Sequence, residues 1–158
     1  GTAQIDKLTV GQVAALTTDQ IQAIELGDLP FMTTAQIEAL TATQVAALTV
    51  GQIAVLTKPQ IAAIEAADIP SLTTAQIAAL TTAQIPDLEQ GQIGAMTSAQ
   101  VSALTSDQLA LLSGTQLAGI ETADLVHMGT AQIDATGQTG TGPKTGEGLA
   151  DAFGFSLI

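Results

Sequence analysis

From Gly1 to Thr136 the chain divides into seventeen consecutive octads, without one insertion or deletion, each a variant of T-x-x-Q-I-x-x-L. Position 5 is aliphatic in all seventeen, from Ile5 through Val13 and Ile21 to Ile133. Position 8 is Leu, Ile or Met in sixteen, failing only at Thr136, and position 4 is Gln in fourteen and Asp in three. A period held this strictly makes each octad one small module stacked on its neighbours. It also favours scaffolding and binding over catalysis.

Neither regular alternative fits eight residues. A straight α-helix turns about 100° per residue, so each octad would drift by roughly 80° and leave no single apolar stripe. Apolar positions 5 and 8 give spacings of three and five, which in a strand would place successive side chains on opposite faces. What remains is a helix of about one and a half turns, a corner, and another helix. Such a helix is far below the roughly 12–15 residues at which isolated helices become marginal. It persists only by sharing a core, so the expected fold is an all-α solenoid of short helices, one per octad.

Each octad carries its own start signal. Thr at position 1 and Gln at position 4 form a capping box, in which the Thr hydroxyl accepts from the position-4 amide and the Gln side chain returns to the Thr amide. Thr41 with Gln44, Thr73 with Gln76, and Thr81 with Gln84 are representative pairs. Position 8 of one octad and position 5 of the next then form a hydrophobic staple, as in Leu40 with Val45. Pro59 falls in the first turn of its octad, where proline is tolerated.

The departures from consensus form a second module. Ile stands at position 8 only at Ile24, Ile64 and Ile120, each followed at once by Glu25, Glu65 or Glu121 and then by Asp28, Asp68 or Asp124. These I-E-x-x-D units lie 40 and then 56 residues apart. Glu is a poor N-cap, so the preceding helix is expected to run through as one longer helix at these corners, ended by Pro30 and Pro70 in the first two. The same six carboxylates are the chain's weak candidates for calcium. Two per module fall short of the roughly six to eight oxygens the ion takes. Their ordinary role is to favour the positive end of a helix start. No catalytic, cofactor-binding or other metal residues are assigned.

Composition narrows the setting. The chain lacks Cys, Trp, Tyr and Arg and carries three Phe, so its core is built of small aliphatic side chains. A net charge of −12, with Lys7, Lys58 and Lys144 the only basic residues, argues against nucleic acid or anionic lipid as partner. No apolar run approaches the roughly 18 residues that span a membrane, and the N-terminus has no signal-peptide layout. Residues 137–145, G-Q-T-G-T-G-P-K-T, imitate a phosphate loop, but Pro143 separates Gly142 from Lys144. Residues 137–148 therefore read as a Gly/Thr-rich linker. His127, the lone histidine, has no partner pattern for a base or a ligand. Residues 149–158 place Phe153, Phe155, Leu157 and Ile158 together, as a cap over the end of the core.

Runs such as L-T-T-A-Q-I-A-A-L-T-T-A-Q-I (Leu72 to Ile85), interrupted by I-E-A-A-D-I (Ile64 to Ile69), resemble the short repeats of very large repetitive bacterial proteins of adhesin-like or haemagglutinin-like type. The resemblance covers residues 1–136. It implies a secreted or cell-surface structural element and brings no catalytic residue with it. The acidic-then-apolar ending, Asp151 to Ile158, is similar to that of some type I secretion substrates, so residues 149–158 have an export signal as a second reading.

The leading expectation is a non-enzymatic scaffold or spacer. One alternative is binding to an ordered surface, ice or a polysaccharide, through Thr at position 2 (Thr2, Thr18, Thr34, Thr74, Thr82, Thr122, Thr130). Another is head-to-tail self-association into a filament, since solenoid ends expose stacking surface and both Gly1 and Gly129 open octads reading G-T-A-Q-I-D.

Overall fold

In a computed structural model, which describes residues 5–125, 127–129, 132, 133 and 136, the chain is an all-α solenoid with one short helix per octad. The first α-helices are Val10–Ala14, Thr18–Gln22, Thr34–Glu38, Ala42–Ala47, Val50–Val55 and Lys58–Ala62. They are followed by Thr74–Ala79, Gln90–Gly94, Ser98–Ala103, Ser106–Leu109, Gly114–Leu117 and Thr122–Leu125. Three further octads carry 3-10 helices instead, at Leu29–Phe31, Ala66–Ser71 and Ile85–Asp87. No strand occurs among the described residues.

The first fifteen octads end in the same way. The position-8 amide donates to the position-5 carbonyl, as from Leu40 to Ile37 at 3.1 Å, and position 8 then turns extended, as at Leu48 (φ −55°, ψ 134°). The next Thr is extended too, with Thr49 at φ −73° and ψ 159°. A corner therefore falls at the end of each of these octads.

This corrects the expectation of longer helices at the I-E-x-x-D units. Thr18–Gln22 stops before Ile24 and Glu25, Lys58–Ala62 stops before Ile64 and Glu65, and Gly114–Leu117 stops before Ile120 and Glu121. Glu65 sits extended at an N-cap, φ −60° and ψ 138°, despite being a poor capping residue. Pro30 and Pro70 end no long helix; each lies within a 3-10 helix. Pro86, in an octad without Glu or Asp at positions 1 and 4, gives the same outcome. All three stand at position 6, where the missing amide cannot donate to the carbonyl four residues earlier and the shorter i→i+3 bond takes over. The third unit has Val126 there, and its helix Thr122–Leu125 is α. Proline at position 6, not the acidic pair, decides the helix type.

The core is a double column of positions 5 and 8. Position 5 is at most 2% exposed in every octad from Val13 to Leu117, and position 8 at most 7% from Met32 to Met128. Each such Ile or Leu contributes roughly 1.5–3 kcal/mol on burial. That is what holds helices this short. Each helix lies against the one three octads earlier, so Thr18–Gln22 meets Ala42–Ala47, and Val50–Val55 meets Thr74–Ala79, which meets Ser98–Ala103.

Candidate functional site

The most developed polar arrangement in the molecule is a ladder of side-chain carboxamides between coils. Each position-4 Gln first serves its own helix. The Oε1 of Gln44 accepts from the Thr41 amide at 2.9 Å while Thr41 Oγ1 accepts from the Gln44 amide at 3.3 Å. Gln76 and Thr73 do the same at 2.6 and 3.2 Å. Thr81 and Gln84 make half of the box, since Gln84 Oε1 accepts the Thr81 amide at 2.7 Å but the Gln84 amide donates to the Thr81 carbonyl.

The other end of the same carboxamide reaches the previous coil. Gln44 Nε2 donates to the carbonyls of Val13 and Leu16 at 2.8 and 2.7 Å, and Gln52 Nε2 to Ile21 and Ile24 at 2.8 and 2.9 Å. Gln76 reaches Val45 and Leu48, Gln108 reaches Ile77 and Leu80, and Gln116 reaches Ile85 and Leu88. From Gln36 to Gln116 the acceptors include positions 5 and 8 of the octad four earlier, 31 and 28 residues back, while Gln132 reaches Ser102 and Leu104. The position-8 carbonyl is one that no helix can satisfy, because it lies past the last turn. One carboxamide thus ties a helix start to a helix end on the previous coil.

Sequence reasoning found the capping half of this role and missed the intercoil half. A signal was present. Glu caps as well as Gln through its oxygen, yet no octad has Glu at position 4. Only an amide also donates, so exclusive use of Gln marks a second bond.

The acidic units are gaps in the ladder. Asp68 stands where a Gln would reach the carbonyls of Ile37 and Leu40, but it is a methylene shorter and, ionised, only accepts. Burial, and then the neighbouring Glu65 charge, hold its carboxyl above the usual value of 3.8. Asp124 accepts from Ser98 Oγ three octads back. Asp28 is buried in the first coil, while Glu25, Glu65 and Glu121 are exposed. Among the described residues no three His, Cys, Asp or Glu side chains gather as a metal site. Ile64 and Ile120 lie in the core, and Ile24 is half-buried.

The remaining candidates sit apart. At position 2 Thr34, Thr74 and Thr82 are exposed and Thr18 is half-buried, while exposed Val10, Leu26 and Val50 interrupt the Thr series. His127 is exposed, and its carbonyl accepts from Ser102 Oγ at 2.9 Å. Lys58 pairs with Asp87 at 3.2 Å across adjacent coils, a partly exposed contact worth at most about 1 kcal/mol. No helix of the described residues is long and apolar enough to cross a membrane. Thr2, Thr130 and residues 137–158, with the expected linker, cap and export signal, lie outside the described residues.

These features define an α-helical repeat protein whose coils are joined by an apolar column and a side-chain ladder. The chain belongs to the ALTTAQ repeat family, whose pattern matches residues 21–58, 61–98 and 85–119. No curated protein and no solved structure matches it.

Proposed function

We propose that this chain is a non-enzymatic structural scaffold, a spacer within a secreted or cell-surface bacterial protein of adhesive type. The observation that carries the reading is the ladder itself. Of the polar side chains repeated along the ladder, the position-1 hydroxyl is spent on capping its own helix and the position-4 carboxamide on that cap and on the previous coil. Catalysis needs several polar groups converging in a concave site, whereas Glu25, Glu65 and Glu121 are exposed and no three His, Cys, Asp or Glu side chains gather as a metal site among the described residues. The likeness of the repeats to those of large adhesin-like proteins supports the surface setting. A repeat array of this kind sets a distance between whatever its ends carry.

Small-angle scattering of the chain tests the spacer role. A pair-distance distribution with a long tail along one axis is expected. A near-spherical envelope would count against a spacer while leaving the repeat fold intact.

A further inference from the structure

Because each helix meets the one three octads before it, the helices stand in three columns. One column runs through Leu29–Phe31, Val50–Val55, Thr74–Ala79, Ser98–Ala103 and Thr122–Leu125. Its middle octads, residues 49–56, 73–80 and 97–104, hold no Asp, Glu, Lys or His. The other two columns carry charge, Glu38, Lys58 and Asp87 on one, and Asp19, Glu65, Asp68 and Glu89 on the other. Among the described residues neither has three successive octads free of it.

The uncharged column is also apolar and uneven. Leu26, Phe31 and Val50 are 48, 57 and 49% exposed. A Cβ on Gly51 would stand 3.6 Å from Leu26 Cδ2, so Leu26 and the adjoining Val50 belong to one patch. Further along, Ser98, Ser102 and Ala103 are small and half-buried. Both serine hydroxyls are already donated, from Ser98 to Asp124 and from Ser102 to the His127 carbonyl. The column is thus raised at Leu26 and Phe31 and recessed at Ser98 and Ala103.

We infer that this column is a two-fold interface between two copies of this chain, laid face to face and antiparallel. A two-fold axis midway between Val50–Val55 and Thr74–Ala79 sets Leu26 and Phe31 of each copy over Ser98 and Ala103 of the other, and Val50 over Thr74. Bulk then meets recess at both ends, as an isologous contact requires. A parallel two-fold would set Leu26 and Phe31 on themselves and draw the two Glu25 carboxylates together. Charge selects the face, since each copy carries −12 and like charges desolvated against each other oppose docking. The area suffices for a weak dimer. Four helices about 10 Å apart and about 12 Å across bury about 1,000 Å² over both copies, the lower limit of a specific interface. The inference does not rest on the spacer reading.

Sedimentation equilibrium of the full chain, from micromolar to millimolar protein, is the test. A monomer–dimer equilibrium without larger species is expected, shifted towards dimer in high salt by screening of the net charge. Val50→Asp puts a carboxylate at an exposed helix start, which the fold accepts. It should dimerise about tenfold more weakly or worse while melting no lower than the parent. Thr34→Asp adds the same charge at the same octad position on a neighbouring column and should dimerise as the parent does. Val50→Asp/Thr74→Lys should recover most of the association, because the antiparallel axis sets each new carboxylate against the other copy's new ammonium. A chain monomeric throughout overturns the inference, and so does growth beyond the dimer. Val50→Asp pairing like the parent, Thr34→Asp losing as much, or a double variant without recovery would each overturn it too.

Discussion

A position-4 glutamine inside the ladder does three jobs with one side chain. Gln52, itself 1% exposed, accepts from the Thr49 amide at 2.9 Å and donates to the Ile21 and Ile24 carbonyls. Gln52→Ala strands buried polar groups at about 1–3 kcal/mol each. Gln12→Ala removes only a solvent-exposed cap, worth about 0.5–2 kcal/mol. Urea unfolding should therefore show Gln52→Ala costing at least twice as much as Gln12→Ala, and equal costs would mean that the intercoil bonds contribute nothing. The reverse experiment is Asp68→Gln. A carboxamide there regains reach to the Ile37 and Leu40 carbonyls, and two net hydrogen bonds should add about 1–3 kcal/mol. The pH dependence has a definite sign. Asp68 is held above 3.8 in the folded chain, so the folded state binds its proton more tightly and its stability contribution falls as pH rises from 3.8 through the folded value. The stability gap between Asp68→Gln and the parent should widen over that window, and a gap flat with pH would contradict it.

Among the helices, spacing is set where backbones pass closest. A Cβ on Gly119 would stand 2.8 Å from the Gln90 carbonyl oxygen and 3.0 Å from that of Gln116, while one on Gly94 would stand 3.1 Å from the Gly119 oxygen. These two glycines let the Gln90–Gly94 and Gly114–Leu117 coils approach through their main chains. Gly119→Ala should cost about 1–3 kcal/mol, because backbone rather than a flexible side chain must move. Gly114 opens its helix with nothing within 4 Å of a built Cβ. Gly114→Ala should raise stability by about 0.4–1 kcal/mol through the unfolded chain. Thermal melts of the two variants should move in opposite directions. The helix type follows a simpler rule, since position-6 proline alone separates the 3-10 octads from the rest.

Across the whole molecule, like charges work against a compact coil. Fifteen acidic residues face three lysines, and the Lys58–Asp87 pair offsets little of that repulsion. Screening shortens from about 10 Å at 0.1 M salt to about 3 Å at 1 M. The melting temperature of dilute protein should rise over that range. A flat or falling dependence would mean that the surface charges are already spaced beyond each other's reach. Because the helix contacts recur three octads apart and the carboxamide bonds four, stability is a sum of local contacts repeated along the axis.

The sequence by itself determined the unit: helix length, start signal, and which two positions are buried. All of these follow from contacts within about one turn, where capping and apolar spacing act. Thr41, Gln44, Ile53 and Leu56 could be assigned their local roles from the octad alone. The I-E-x-x-D corners were misjudged because a weak N-cap, Glu65, was weighed against its own helix only. The next coil presses every octad boundary into the same turn, whatever residue caps it. Tertiary structure alone decided the partner of each glutamine. Which carbonyls lie beside Gln44 depends on the angle accumulated over four successive corners, and no local rule fixes that angle to within the length of a hydrogen bond.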